Sequence, residues 1–167
     1  MGCRSPFNTR GLTLLEAMIT LAVLAILGAM MVPGLRGQLE RQRLEHAAQS
    51  LAGDVIEARF LAAQKGQTIY IQAQPGTPWC WSVAATAACG CDLAQPCQIH
   101  SASSADHPGV KLLEPLSLSL DPLGGVTPAG GTSFETASGE RLRVEVTSQG
   151  RPRVCAAAGK WPRLRAC

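Results

Sequence analysis

Between Gly11 and Pro33 the chain reads G-LTLLEAMITLAVLAILGAMMV-P, an apolar run with one acid, Glu16, closed by a proline. About 21 residues at ~1.5 Å rise make roughly 32 Å of helix, enough to cross the hydrocarbon core of a bilayer. A carboxylate inside such a span costs about 2.5–3.5 kcal/mol on insertion scales. Glu16 is therefore expected to meet a partner charge. Residues 1–11 form a short polar leader with Arg4 and Arg10, without the A-x-A site of an ordinary secretory signal. Positive charge favours the cytoplasmic side, so the rest of the chain is expected to face outward. In a Gram-negative cell that side is the periplasm.

From 34 to 65 the pattern continues as an amphipathic helix. Leu35, Leu39, Leu44, Ala48, Leu51, Val55, Ala58 and Ala62 form an apolar stripe. Arg36 with Glu40, and Arg41 with Glu45, are four apart and offer ion pairs along the helix surface. His46 reads as an ordinary helix residue, and Gly66 as a helix stop.

Beyond Gly66 the period changes to that of strands. Gln67–Ala73 alternates, Pro75-Gly76 turns, and Trp79–Ala84 is a second short strand. Trp79 and Trp81 flank Cys80; aromatics so placed either pack in a core, the commoner role, or stack on bases. Residues 89–108 read as a long loop of small and polar residues in which His100 and His107 belong to no motif. Val110–Leu120 reads as one or two strands split by Pro115, and 121–131, rich in Gly and Pro, as turns. A strand at 132–135 leads to a hairpin tip at Ala137–Gly139. In the next strand Leu142, Val144 and Val146 face one way and Arg141, Arg143 and Glu145 the other. A turn at Ser148–Gly150 returns the chain through Arg151–Cys155.

Of seven cysteines, Cys3 falls in the leader. The six others, Cys80, Cys89, Cys91, Cys97, Cys155 and Cys167, form an even set that reads as disulfides in an exported domain. Cys155 and Cys167 would close a short terminal loop; the other four would staple the loop from Cys80 to Cys97. A zinc site at Cys89, Cys91 and Cys97 is the rival reading, but its spacing departs from C-x₂₋₄-C and no histidine is well placed. Charge is uneven: the stretch 66–138 is acidic, whereas the end of the chain gathers Arg141, Arg143, Arg151, Arg153, Lys160, Arg163 and Arg165.

Gly11-Leu12-Thr13-Leu14-Leu15-Glu16 resembles the class III signal of type IV pilins and pseudopilins. The resemblance implies that a prepilin peptidase cuts between Gly11 and Leu12, that Leu12 becomes the methylated N-terminus, and that Glu16 meets the amine of a neighbouring subunit during assembly. Pro33 stands where pilins commonly carry a helix-bending proline; Leu12 departs from the phenylalanine commonest at its position. The helix end Ala58-Arg59 with Ala62-Ala63, followed by a Gln-Thr-Ile strand, and the late Gly150-Arg151-Pro152-Arg153 resemble the FimT/GspH group of minor pilins and pseudopilins.

The implied fold is α+β and type IV pilin-like: leader 1–11, transmembrane helix 12–33, amphipathic helix 34–65, and an antiparallel β-sheet head over 66–167. Gly150-Arg151-Pro152-Arg153 is similar to the G-R-x-R motif of FimT-type minor pilins, whose arginines bind DNA in natural transformation. Arg151 and Arg153, two apart on an extended segment, would project to one side, each able to fork onto a phosphate. Arg141, Arg143, Lys160, Arg163 and Arg165 would widen the patch, with Trp161 available for stacking. The expected partners are DNA, bound largely without sequence preference, other pilins or pseudopilins, the prepilin peptidase and the inner membrane. The alternative is a structural pseudopilin of a type II secretion system. No nucleophile–base–acid constellation or metal motif is present in the sequence, so neither enzyme activity, cofactor nor metal is expected.

Overall fold

The computed structural model describes residues 13–91 and 96–167, with side chains described except at 29–35. The expected cleavage site, Gly11 and Leu12, lies outside those residues. Helix α1 runs Leu14–Lys65. Thr13 caps its start: its Oγ1 accepts the Glu16 N–H at 3.3 Å, the T-x-x-E arrangement favoured at helix N-termini. Gly66, at φ +64°, follows its last residue in the left-handed conformation that costs glycine nothing.

The chain divides into two compact units, one ending at Gln38 and the other Leu39–Cys167. In the first, Leu14, Leu15, Met18, Ile19, Leu21, Leu24 and Leu27 are exposed. Among the described residues no helix is long and apolar enough to cross a membrane. The span expected over 12–33 includes Leu12 and the side chains of 29–33, which lie outside that description.

In the second unit Leu44, Ala47, Ala48, Leu51, Val55, Ala58 and Ala62 of α1 are fully buried. The alanines keep the helix backbone close to the strands beneath it. Leu39, expected on this stripe, is exposed instead. The ion pairs also differ from the helix-surface pairs expected. Arg41 bonds Glu140 through Nε at 2.9 Å to both carboxylate oxygens and again through Nη2. Glu40 accepts the Ser138 hydroxyl at 3.1 Å. A tertiary partner with forked geometry outcompetes a neighbour one turn away, whose pairing contributes only about 0.3–0.5 kcal/mol.

The β region is two antiparallel sheets rather than one. The first has the order β3-β2-β1-β5-β6, with β1 Ile69–Gln74, β2 Cys80–Ala84, β3 Gln98–Ser103, β5 Leu116–Leu120 and β6 Val126–Thr127. The second has the order β4-β7-β8-β9, with β4 Val110–Leu112, β7 Gly130–Thr136, β8 Arg141–Val146 and β9 Pro152–Ala158. The break before Pro115 thus separates strands of different sheets. It is held by the Leu113 N–H on the Ser133 carbonyl at 2.9 Å and the Thr132 hydroxyl on the Glu114 carbonyl at 2.6 Å.

Two segments read as loop or turn contain strands. β3 lies inside the long loop expected at 89–108, and β6 and the start of β7 inside the turns expected at 121–131. β3 is an edge strand in which only Ala102 is buried, so side-chain alternation is absent. It forms by backbone pairing with β2, His100 opposite Val83 and Ala102 opposite Trp81. Interleaved disulfides Cys80–Cys91 and Cys89–Cys97 close this corner.

Trp79, Trp81 and Phe134 fill the core where the two sheets meet. The indoles stack at 5.5 Å and both meet Phe134 edge-on. Each indole N–H has a buried acceptor, the Val110 carbonyl at 2.7 Å for Trp79 and Asp54 Oδ2 at 2.6 Å for Trp81. The tryptophans are therefore core, not a stacking platform.

Candidate nucleic-acid interface

β8 alternates as its sequence dictates: Leu142, Val144 and Val146 are buried, while Arg141 and Glu145 are exposed and Arg143 is half-buried. The outward arginines of this strand are neutralised locally. Arg141 donates to Glu135 at 3.1 Å through Nε and Nη2. Arg143 reaches Glu114 at 2.6 Å and Glu145 at 3.3 Å. Cross-strand register brings Glu135 opposite Arg141, whereas Glu114 reaches Arg143 from the segment between β4 and β5 and Glu145 from the same strand.

The turn into β9 is fixed from three directions. Its own closure is the Gly150 N–H on the Thr147 carbonyl at 2.9 Å, with the Arg151 N–H on Thr147 Oγ1 at 3.3 Å. The first sheet holds it through the Val126 N–H on the Ser148 carbonyl at 2.9 Å. Helix α1 holds it through Arg59: a Cβ at Gly150 would lie 3.1 Å from Arg59 Cδ and 3.2 Å from Val126 Cγ2, and Gly150 has φ +70°. The conformation calls for glycine, and the close approach favours it.

Arg151 and Arg153 are exposed but serve different hollows. Arg151 lines one of about 290 Å³ with Arg59, Gly124 and Ser148. Arg153 lines a groove of about 410 Å³ with Glu145, Arg163, Arg165 and Cys167. The groove exists because the tail folds back on the free edge of β9. Ala156 N–H bonds the Arg165 carbonyl at 2.8 Å, Cys167 N–H bonds the Ala156 carbonyl at 3.2 Å, and Cys155–Cys167 locks the return. Among the described residues no carboxylate lies within ion-pair distance of Arg151, Arg153, Lys160, Arg163 or Arg165. Trp161, expected as a stacking surface, is half-buried. Its N–H bonds the Ala158 carbonyl at 3.1 Å, and the Arg41 guanidinium lies 5.9 Å from its ring centroid.

The titratable groups that depart from their usual range lie elsewhere. Burial raises Asp54, against the opposing Trp81 hydrogen bond and the charge of His100. Burial lowers His107, helped by His46, whose Nδ1 is 3.5 Å from its own. Hydrogen bonds from Ser103 lower Asp106. Among the described residues no group of three or more His, Cys, Asp or Glu is placed to hold a metal ion.

Residues 6–32 match the family described as the prokaryotic N-terminal methylation motif, and residues 47–150 match the one described as type II transport protein GspH. The chain belongs to the GspH family. The solved structures it resembles include the type IV minor pilin FimU of Pseudomonas aeruginosa in two crystal forms. In one the TM-score is 0.50 at 20% identity, covering 69% of this chain and 90% of FimU. In the other it is 0.47 at 20% identity, covering 66% and 91%. No curated protein matches the chain. This GspH-family chain is thus a minor pilin or pseudopilin with the α+β pilin fold. In it Arg59 is the residue whose position sequence reading missed. The signal was an arginine in the helix-end motif, beside alanines that the core explains.

Proposed function

We propose that the chain is a minor type IV pilin whose head binds DNA for uptake in natural transformation. Cleavage after Gly11, methylation of Leu12 and assembly through Glu16 would place it in a pilus, with residues 12–33 anchoring it in the inner membrane beforehand and the head in the periplasm. Arg151 and Arg153 are the principal contacts, with Lys160, Arg163 and Arg165 beside them; Arg141 and Arg143 contribute once their carboxylate partners yield. The supporting observation is the contrast in pairing. The five cations of the turn and tail have no carboxylate in ion-pair range among the described residues, while the two on β8 do. Guanidiniums without internal partners suit phosphate, and contacts to phosphate carry no sequence information, so the binding is expected to be sequence-independent. The Cys155–Cys167 bridge holds the tail in place and so reduces the ordering lost on binding.

The second reading, a structural pseudopilin of a secretion system, is favoured by the GspH match over residues 47–150. Fluorescence anisotropy of the full chain in detergent micelles with labelled duplex DNA separates the two. DNA capture predicts affinity that falls with salt, the log–log slope gaining about −0.9 per phosphate contacted. Arg151→Ala with Arg153→Ala is expected to weaken it by at least about a hundredfold, since charged hydrogen bonds contribute ~1.5–3 kcal/mol each. Absence of salt-dependent binding in the unaltered protein would leave the pseudopilin reading.

A further inference from the structure

Arg59 is an exposed residue of α1 whose charge has no carboxylate in ion-pair range among the described residues. Its side chain crosses two glycines that both have positive φ. A Cβ at Gly124 (φ +89°) would sit 3.1 Å from its Nη2 and 3.2 Å from its Nε, and one at Gly150 would sit 3.1 Å from its Cδ. A Cβ at either place would make the arginine give by a few tenths of an ångström, and the positive φ would strain the new residue besides. Beyond the glycines the side chain lines the same hollow as Arg151, together with Gly124, Gly125, Ser148 and Gln149. Asp121, in the adjoining turn, directs Oδ1 to the backbone amides of Leu123 and Gly125 at 2.8 and 3.1 Å.

We infer that Arg59 and Arg151 together form a phosphate-binding notch on the DNA-contact surface, and that the glycine of the G-R-x-R turn is there to admit Arg59. The inference rests on the DNA reading above. Two arginines from different elements line one hollow, and an anion held there would relieve the repulsion between their charges. Arg59 approaches from a helix whose backbone is already ordered, so only its side chain loses freedom on binding. DNA would then be held at two places: the notch of Arg59 and Arg151, and the groove of Arg153, Arg163 and Arg165. A chain that carried only the G-R-x-R turn, without the helix arginine, would lack the first.

The test is fluorescence anisotropy of the full chain in detergent micelles against a labelled duplex across a salt series. Arg59→Met keeps the apolar stem over Gly124 and Gly150 and removes the charge. It is expected to bind on the order of tenfold more weakly and to lose about 0.9 from the salt slope, one phosphate's worth. Arg59→Lys, which keeps stem and charge, should retain the slope. Should Arg59→Met melt early, Arg59→Gln carries the same expectation. Unchanged affinity and slope in Arg59→Met, with loss in Arg151→Ala/Arg153→Ala, would overturn the notch and leave DNA capture standing. Weakened binding at an unchanged slope, not rescued by lysine, would reduce Arg59 to a support for the turn and overturn the notch equally. If the unaltered chain shows no salt-dependent binding, the DNA reading fails and the notch with it.

Discussion

Two stretches of this chain have the residues that nucleic-acid surfaces use: Trp79-Cys80-Trp81 and Arg151-Pro152-Arg153. Trp79 and Trp81 are 2% and 0% exposed, stacked on each other, with each indole N–H on an internal acceptor. Arg151 and Arg153 are exposed, and among the described residues no carboxylate pairs with them. The difference is one of where polar valences end. In the first stretch both indole donors are used inside the fold, so the aromatics stabilise it; in the second the arginines face outward. The same test sorts like residues one strand apart, since Arg141 and Arg143 hold acids at ion-pair distance and Arg151 and Arg153, the latter with Glu145 across the strand, do not.

Breaking the comparison at its first member should have the largest effect. Trp81→Leu removes a fully buried ring and leaves Asp54 Oδ2 without its donor. A loss of about 3–5 kcal/mol in stability is expected, with DNA affinity per folded molecule unchanged; denaturant unfolding alongside anisotropy checks both. An affinity loss at unaltered stability would make the tryptophans part of the interface. The next effect sharpens the second member. Glu114→Gln, Glu135→Gln and Glu145→Gln together release Arg141 and Arg143. DNA affinity should rise roughly tenfold as two further phosphates are met, while stability changes by no more than about 1 kcal/mol per pair lost, as surface ion pairs do. An unchanged affinity would mean that pairing does not decide which arginines bind.

Much of this architecture was legible because it is written in periods and local chemistry. The 3.6-residue stripe of α1, the alternation of Leu142, Val144 and Val146, and Gly66 after the last helical residue all express backbone geometry directly. What escaped reading depends on distant partners. β3 has no alternation to read and exists because β2 offers an edge and two disulfides close the corner. The strands flanking Pro115 look continuous in sequence yet join different sheets. Arg41 had a suitable acid one turn away and took Glu140, 99 residues on. At the candidate site the arginines of the turn and tail were visible as a charge cluster. Their division into paired and unpaired sets was not, because it depends on side-chain partners such as Glu135 across β7 and Glu114 between β4 and β5. Arg59 lay hidden for the same reason: its glycines are 65 and 91 positions later in the chain.

The smallest effect tests whether the two stretches respond independently to pH. His107 is buried, with its ring 6.0 Å from Trp79 and 5.5 Å from Trp81, and its Nδ1 faces that of His46. Burial and the neighbouring imidazole hold its pKa below the usual 6.5, with Asp106 opposing. The unfolded chain therefore takes up this proton first. The stability that neutral His107 provides is complete above about pH 6.5 and declines as pH falls through that value toward the lowered folded pKa, then levels off. Asp54 has the opposite sign: its raised pKa means that the fold binds a proton more readily than the unfolded chain, which favours the fold on acidification toward the ordinary carboxylate range. Thermal melts from pH 7.5 to 5 should thus show a fall in Tm that His107→Gln flattens; parallel curves for the two proteins would remove His107 from the explanation. Over the same range the arginines of the turn and tail stay charged. DNA affinity per folded molecule should hold constant while the aromatic corner loosens, and a parallel drop in both would join the two regions that the structure keeps apart.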